Sequence, residues 1–426
     1  MPDPASFTDV DWYLDPGVGQ DPSPYYAALL AGVCPVAREP CHGAVAVGGY
    51  EEVVAVYNDT VAFSNCNSMA GPFATLPELP DGVDDITDLV DAAREQMPMH
   101  EHLPMLDPPA HTDHRALLMR LITPKRLAEN EAFLWRLADV QIDEFAAAGR
   151  CEFIREFSNP YSNLVITDLL GVPDEDRDMI RQRLGMPGPG EAASMAGPFD
   201  SLAFLYDRFT EYVEDRRANP RDDVLTGLAT ATFPDGSTPE VIDVVRIAAF
   251  LYAAGGETTA RLLAAALRII GEDAALQQRL RDDRNLLTGF IEEVLRLEGP
   301  VKSDHRLTRK ATAIAGVSIA PGDTVALLLG AANRDPRRFD DPETFDPERP
   351  NARAHIAFGH GVHTCPGAPL ARSETRIALE RLLDRMHDIR ISDAEHGPED
   401  ARRYEYAPTF VLRGLQALHL EFTPAP

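Results

Sequence analysis

The sequence predicts a mainly α protein with small β-sheets, folded as one domain over residues 1–426. Three observations lead there. Helical periodicity, with apolar residues recurring three and four positions apart, dominates the chain. One such stretch, 241–270, is apolar around nearly its whole circumference and so belongs inside a core. The segments that alternate with period two are few and short. A chain of 426 residues with the apolar content of a globular protein can bury one large core.

In chain order, 43–48 reads as a strand, and the proline- and acid-rich stretch Ala70 to Met105 as a flexible loop. Asp107-Pro108-Pro109-Ala110-His111-Thr112-Asp113-His114-Arg115 reads as a turn set by prolines and then a helix start. Thr112 or Asp113 is placed to cap it, and His111 and Arg115 share one face, by default a solvated one. Helices are expected near 112–121, 125–147, 158–170 and 200–217, with a second flexible loop from Met186 to Phe199. Two such loops in a helical enzyme often gate a pocket. The long helix at 241–270 and another at 285–297 follow, the latter carrying Glu293 and Arg296 three apart, usually a weak surface pair. Strands at 312–318 and 323–328, a helix at 368–386 and strands at 388–392 and 418–423 complete the chain.

Two stretches carry chemistry. Ala254-Gly255-Gly256-Glu257-Thr258-Thr259 puts two glycines and an acid in the most buried part of the long helix. Each glycine costs about 1 kcal/mol there relative to alanine. The pair either packs at a helix crossing, with Glu257 bridged to an arginine, or opens the helix for a diatomic ligand beside Glu257 and Thr258. The second stretch, Phe358-Gly359-His360-Gly361-Val362-His363-Thr364-Cys365-Pro366-Gly367, stands directly ahead of the helical run from Ala368. A sulfur in that place meets free N–H groups and the positive end of the macrodipole, which favour a thiolate. Its three glycines let the backbone turn tightly and approach a large flat group. His360, His363 and Cys365 lack a fourth zinc ligand, and no CxxC or HxxxH pattern lies nearby. Gly359-His360-Gly361 lacks the third glycine of a phosphate loop. Cys34, Cys41, Cys66 and Cys151 show no disulfide pattern and read as small buried apolar residues, in keeping with a reducing compartment.

The cysteine stretch resembles the haem-binding loop of the cytochrome P-450 family, Phe-x-x-Gly-x-His-x-Cys-x-Gly. Phe358, Gly361, His363, Cys365 and Gly367 fill every fixed place, and Ala368-Pro369-Leu370-Ala371-Arg372 resembles the continuation in bacterial members. Ala254 to Thr259, Glu293-Val294-Leu295-Arg296 and the His111-x-x-x-Arg115 segment resemble further landmarks of that family, in its order and at its approximate spacing. So do Gly330 to Pro336 and Phe345 to Arg349, so that the resemblance runs from about Asp107 to the C-terminus.

The resemblance implies a cytochrome P-450 fold holding haem b (iron protoporphyrin IX) between the long central helix and the Cys loop with its following helix. It implies Cys365 as the axial iron ligand, with Phe358, Gly359 and Gly367 shaping the loop. His111, Arg115, Arg306 and His363 are implied as donors to the haem propionates, anions that require cationic partners. Glu293 and Arg296 become a buried structural ion pair. A thiolate ligand pushes electron density toward iron and favours O–O cleavage. Thr258 is the implied hydrogen-bonding alcohol and Glu257, where many members have aspartate, the entry of a proton relay. The implied reaction inserts one atom of O2 into a small or medium apolar substrate such as a terpenoid, steroid or aromatic. Ala254, Val301, Lys302 and Phe410 fall at positions that line the family's pocket. A lysine in an oily pocket needs a partner, so Lys302 is expected to snorkel to solvent or to pair with Asp304 unless it meets a substrate carboxylate. Peroxygenase or oxidative-coupling chemistry, or non-catalytic gas binding, are the alternatives, and the paired Glu257 and Thr258 weigh against them.

A formal charge of −28 argues against nucleic acid or an anionic membrane as a partner. No basic-plus-apolar leader is present at the N-terminus, and 247–267, interrupted by Glu257 and Arg261, makes a poor membrane span, so a soluble cytoplasmic protein is expected. Arg115, Arg120, Lys125, Arg126, Arg372 and Arg376 fall in or beside the two helices that, by the resemblance, flank the thiolate face. They read as a docking patch for an acidic ferredoxin. No flavin- or nucleotide-binding segment follows the haem domain, so a separate NAD(P)H-dependent ferredoxin reductase is expected.

Overall fold

The computed structural model describes residues 10–74, 79, 80, 82–173, 175–177 and 197–425. They form a mainly helical protein with small sheets, as the periodicity predicts. Two compact units divide the chain. The first comprises Met1–Thr112, Glu292–Cys365 and Tyr406–Arg413, and the second Asp113–Ile291, Pro366–Glu405 and Gly414–Pro426.

The first unit is built on a five-stranded sheet. Its strands, in spatial order, are Val36–Arg38, Val45–Val47, Thr324–Leu328, Ser303–Thr308 and Phe63–Ser64. Only Val45–Val47 and Thr324–Leu328 run parallel. Both are fully or largely buried, which explains their unbroken apolar sequences. Ser303–Thr308 lies outside the strands expected from periodicity, because its polar sequence SDHRLT hides a strand that is almost entirely buried. Apolar packing comes from the helix Tyr50–Asn58, through Val53, Val56 and Tyr57, against Val325, Leu327 and Ile356. The stretch 70–105 is not one long loop among its described residues, since it contains the helix Thr87–Ala93 and three short 3-10 turns.

The second unit is helical around Val241–Glu272, which is flanked by Asn159–Leu170, Gly197–Ala218 and Ala368–Arg385. Val244, Val245, Ala248, Leu262, Leu263 and Leu267 are among its fully buried residues. The helix Pro124–Asp143 starts where Thr123 Oγ1 accepts from the Arg126 amide at 3.2 Å with proline at the first helical position. It stops four residues short of the expected 147 because a 3-10 turn at Ala146–Ala148 closes on Gly149, at φ +63. The preceding helix spans Ala110–Leu118, so Thr112 and Asp113 lie inside it and cap nothing. Of the expected loop at 186–199, positions 186–196 lie outside the described residues, and 197–199 open the helix Gly197–Ala218. Strand His419–Pro424 pairs with both Arg150–Glu152 and Met386–Ile391 in a three-stranded antiparallel sheet.

Candidate active site

The cysteine loop is held by its own backbone. The Cys365 amide donates to the Phe358 carbonyl at 2.8 Å, and the Gly359 amide to the Ile356 carbonyl at 2.9 Å. Thr364 closes the turn Gly361–His363 through both its amide, at 3.1 Å, and its hydroxyl, at 2.7 Å, on the Gly361 carbonyl. Gly359 and Gly361 have φ of +69 and +68, where a side chain is strained. A Cβ at Gly361 would also stand 3.0 Å from the Tyr57 carbonyl oxygen. Gly367 has an ordinary φ of −79, so only two of the three glycines serve the turn. Cys365 is partly buried and bridged to no other cysteine.

Beside this loop the first unit gathers nitrogen donors that are far apart in sequence. The His111 and His363 rings lie 3.9 Å apart between centroids. Arg306 is buried, with its guanidinium 4.9 Å above the Tyr57 ring and 3.0 Å from the Asp304 carboxylate. Asp304 also accepts from Ser68 Oγ at 2.8 Å and Tyr57 Oη at 3.2 Å. Burial, with smaller contributions from His111 and Arg306, pushes the His363 imidazole down to about 3. The Nε2 of His363 and one Nη of Arg306 are buried and find no hydrogen-bond acceptor among the described residues. Buried donors of this kind are costly unless an acceptor reaches them. Two carboxylates on the rim of a flat cofactor have the chemistry to satisfy them, so the residues present fit haem. Arg115 stands one turn beyond His111 on the helix Ala110–Leu118.

The pocket-lining candidates of this unit lie side by side. Val301 bridges Leu412, the Lys302 amide donates to the Val411 carbonyl at 2.8 Å, and Ser303 Oγ donates to the Phe410 carbonyl at 2.7 Å. Phe410 joins Tyr13, Phe73 and His305 in an aromatic cluster with centroids 5.2 to 5.8 Å apart. Lys302 neither snorkels nor pairs with Asp304. It is 2% exposed with its ammonium 5.7 Å from the Trp12 ring centroid, and Asp304 is committed to Arg306.

In the second unit the long helix runs unbroken from Val241 to Glu272, which decides between the two alternatives for the glycine pair in favour of packing. The glycines serve a crossing: a Cβ at Gly255 would fall 2.5 Å from Ile166 Cδ1, and one at Gly256 2.4 Å from Asn163 Oδ1. Thr258 Oγ1 donates to the Ala254 carbonyl at 2.8 Å, and Glu257 bridges Arg261. Ala254, Glu257 and Thr258 are all half-buried. Glu374, on the helix after the cysteine, belongs to none of the sequence motifs. It is fully buried, which pushes its carboxyl well above the ordinary range despite the Thr259 hydroxyl beside it. The basic residues proposed for docking are largely spent on neighbours. Lys125 and Arg126 reach Glu129, at 3.7 and 3.3 Å, Arg376 reaches Glu131 and Glu380, at 2.7 and 2.8 Å, and Arg120 donates to the Thr232 carbonyl at 3.0 Å.

The Glu293 and Arg296 side chains are fully buried and 2.7 Å apart. Arg349 Nε adds a second cation to Glu293 at 2.9 Å.

Comparison with known proteins agrees with this picture. The family profile described as Cytochrome P450 matches residues 244–391. The solved structure of Mycobacterium marinum cytochrome P450 CYP150A6 in the substrate-free form is 55% identical, covering 99% of this chain and 100% of that one, with a TM-score of 0.93. Cytochrome P450 107B1 of Saccharopolyspora erythraea is 37% identical over 322 residues, 74% of this chain and 76% of that protein. CYP109E1 from Bacillus megaterium, solved in complex with testosterone, is 27% identical over 94% of this chain and 99% of its own, with a TM-score of 0.78. The chain belongs to the cytochrome P450 family. It is an oxidoreductase that uses haem b, O2 and an organic substrate and draws its electrons from a redox partner.

Proposed function

We propose that this protein hydroxylates a small or medium apolar molecule, with both units acting as one catalytic domain and electrons delivered by a cytoplasmic ferredoxin and its NAD(P)H-dependent reductase. The observation that carries the reading is the glycine-turned loop of Cys365 beside the buried donors His111, His363 and Arg306. When bound, thiolate-ligated haem supplies oxygen activation. The protein residues do the rest. Cys365 would bind the iron through its thiolate, and His111, Arg115, Arg306 and His363 would hold the propionates. Glu293 and Arg296 stiffen the fold behind the loop. Thr258 presents its hydroxyl oxygen as an acceptor while its hydrogen stays on the Ala254 carbonyl, and Glu257 takes protons from solvent and hands them inward.

For the substrate, Ala254, Val301, Lys302 and Phe410 are the proposed lining. The testosterone complex of a relative makes a steroid panel a rational first screen. The ferredoxin docking patch is proposed on Arg115, Arg120, Lys125, Arg126, Arg372 and Arg376 together. No helix among the described residues is long and apolar enough to cross a membrane, in keeping with the proposed location.

The test is the visible spectrum of the reduced protein under carbon monoxide. The expected result is a Soret band moved far to the red in the wild type and absent in Cys365→Ser. A wild-type protein without that band would overturn the reading. Steroid-induced spin-state shifts in the oxidised protein then test the substrate class.

A further inference from the structure

Arg261 lies one turn beyond Glu257 on the long helix and is 8% exposed, against 36% for Glu257. Its Nε donates to Glu257 Oε1 at 3.1 Å, and an Nη donates to the same oxygen. The guanidinium therefore forks on one carboxylate oxygen and makes no hydrogen bond to the other, Oε2. The far side of Arg261 is closed by Gly414. A Cβ there would fall 2.5 Å from Arg261 Nη1 and 2.6 Å from its Cγ. Gly414 has no positive φ, so the glycine is required by the space that the arginine fills and not by a turn. Two residues more than 150 positions apart in sequence thus fix where one carboxylate oxygen points.

We propose that Arg261, seated by Gly414, is a positioning residue for proton transfer: it anchors Oε1 of Glu257 and leaves Oε2 to accept a proton from solvent and pass it inward. The proposal rests on the relay role given to Glu257 above. A proton moves from water to Oε2 and then from Oε2 to the next acceptor, and no electrons change hands. A forked arginine contact suits this because it sets direction as well as charge, whereas a lone ammonium supplies charge only.

The test uses the haem-loaded enzyme with testosterone as probe, a plant-type ferredoxin and its reductase as donor, and NADPH as reductant. Arg261→Gln and Gly414→Ala are each expected to raise the solvent isotope effect on NADPH consumption. Each should also raise hydrogen peroxide released per NADPH, by about threefold to tenfold, as misplacement of a catalytic group does. Arg261→Lys is expected to fall between them and wild type. The reduced carbonyl spectrum should stay unchanged in all three. A double-mutant cycle of Glu257→Gln with Arg261→Gln in urea unfolding reads the pair without any turnover, and a non-additive result is expected. Wild-type isotope effect and peroxide yield in Arg261→Gln and Gly414→Ala, beside a clear change in Glu257→Gln, would refute the positioning role alone. An unchanged Glu257→Gln enzyme would overturn the relay reading and this proposal with it.

Discussion

Replacing Arg296 by lysine is expected to cost several kcal/mol although it preserves the charge. All five N–H groups of Arg296 are used. Nε and one Nη2 hydrogen reach the two oxygens of Glu293 at 2.8 and 2.7 Å, and the remaining three reach the carbonyls of Asn333 at 2.9 Å, Pro342 at 2.7 Å and Thr344 at 3.2 Å. A lysine offers three donors on one atom, so at least two acceptors lose their partner in a site with no water access. At about 1.5–3 kcal/mol for each hydrogen bond to a charged group, the loss is about 3–6 kcal/mol. Breaking a buried ion pair outright costs a similar amount. That is a large part of a total stability of about 5–15 kcal/mol. Urea unfolding of the haem-loaded protein, followed by far-UV circular dichroism, measures it. Glu293→Gln is the companion, since it keeps the volume and removes the charge that Arg296 and Arg349 face. Burial works against ionisation of Glu293, yet the hydrogen bonds from both arginines hold its carboxyl below the ordinary value. Its stabilisation is therefore complete above the ordinary glutamate range and is lost as pH falls through the lowered folded value. A cost below about 1 kcal/mol for Arg296→Lys would refute the claim that the donors are saturated and water-free.

Three further outcomes are expected. Thr258→Ala should keep haem and substrate binding while diverting reductant to hydrogen peroxide; unchanged coupling of product to NADPH, measured in the same reaction, would reject the hydroxyl's role. Gly361→Ala should lower stability by about 1–3 kcal/mol, because a φ of +68 and the Tyr57 carbonyl at 3.0 Å both oppose a Cβ, and urea midpoints compare it with an ordinary alanine scan position such as Glu395→Ala. His305 is fully buried and its imidazole is pushed down to about 4, mainly by that burial. The fold therefore favours the neutral ring, and stability should fall as pH drops below the ordinary histidine value, by about 2 kcal/mol at about pH 5. His305→Gln should flatten that part of the urea-midpoint profile.

The cysteine loop was legible because its demands are local. Positive φ at Gly359 and Gly361 and a cysteine just ahead of a helix are properties of ten consecutive residues. The helices that carry the site were legible for the same reason: their apolar repeat is written along the chain, and Val241–Glu272 departs from its expected range by only two residues. Strand Ser303–Thr308 was not legible, since neither of its faces is exposed and no polar–apolar alternation is required of it.

What the sequence by itself determined is therefore which segments fold as helices and where a thiolate can sit. Only the tertiary structure decided what each charged or small residue meets. Gly255 and Gly256 could have opened a helix or packed at a crossing, and the choice was made by Ile166 and Asn163 on another helix. Glu293 and Arg296 have the spacing of a surface pair, and they are buried because carbonyls from Asn333 to Thr344 close over them. His111 and His363 share no local pattern, yet their rings touch. Backbone conformation depends on neighbours along the chain, whereas burial and electrostatic pairing depend on neighbours across it. Those partners are fixed only when the elements pack.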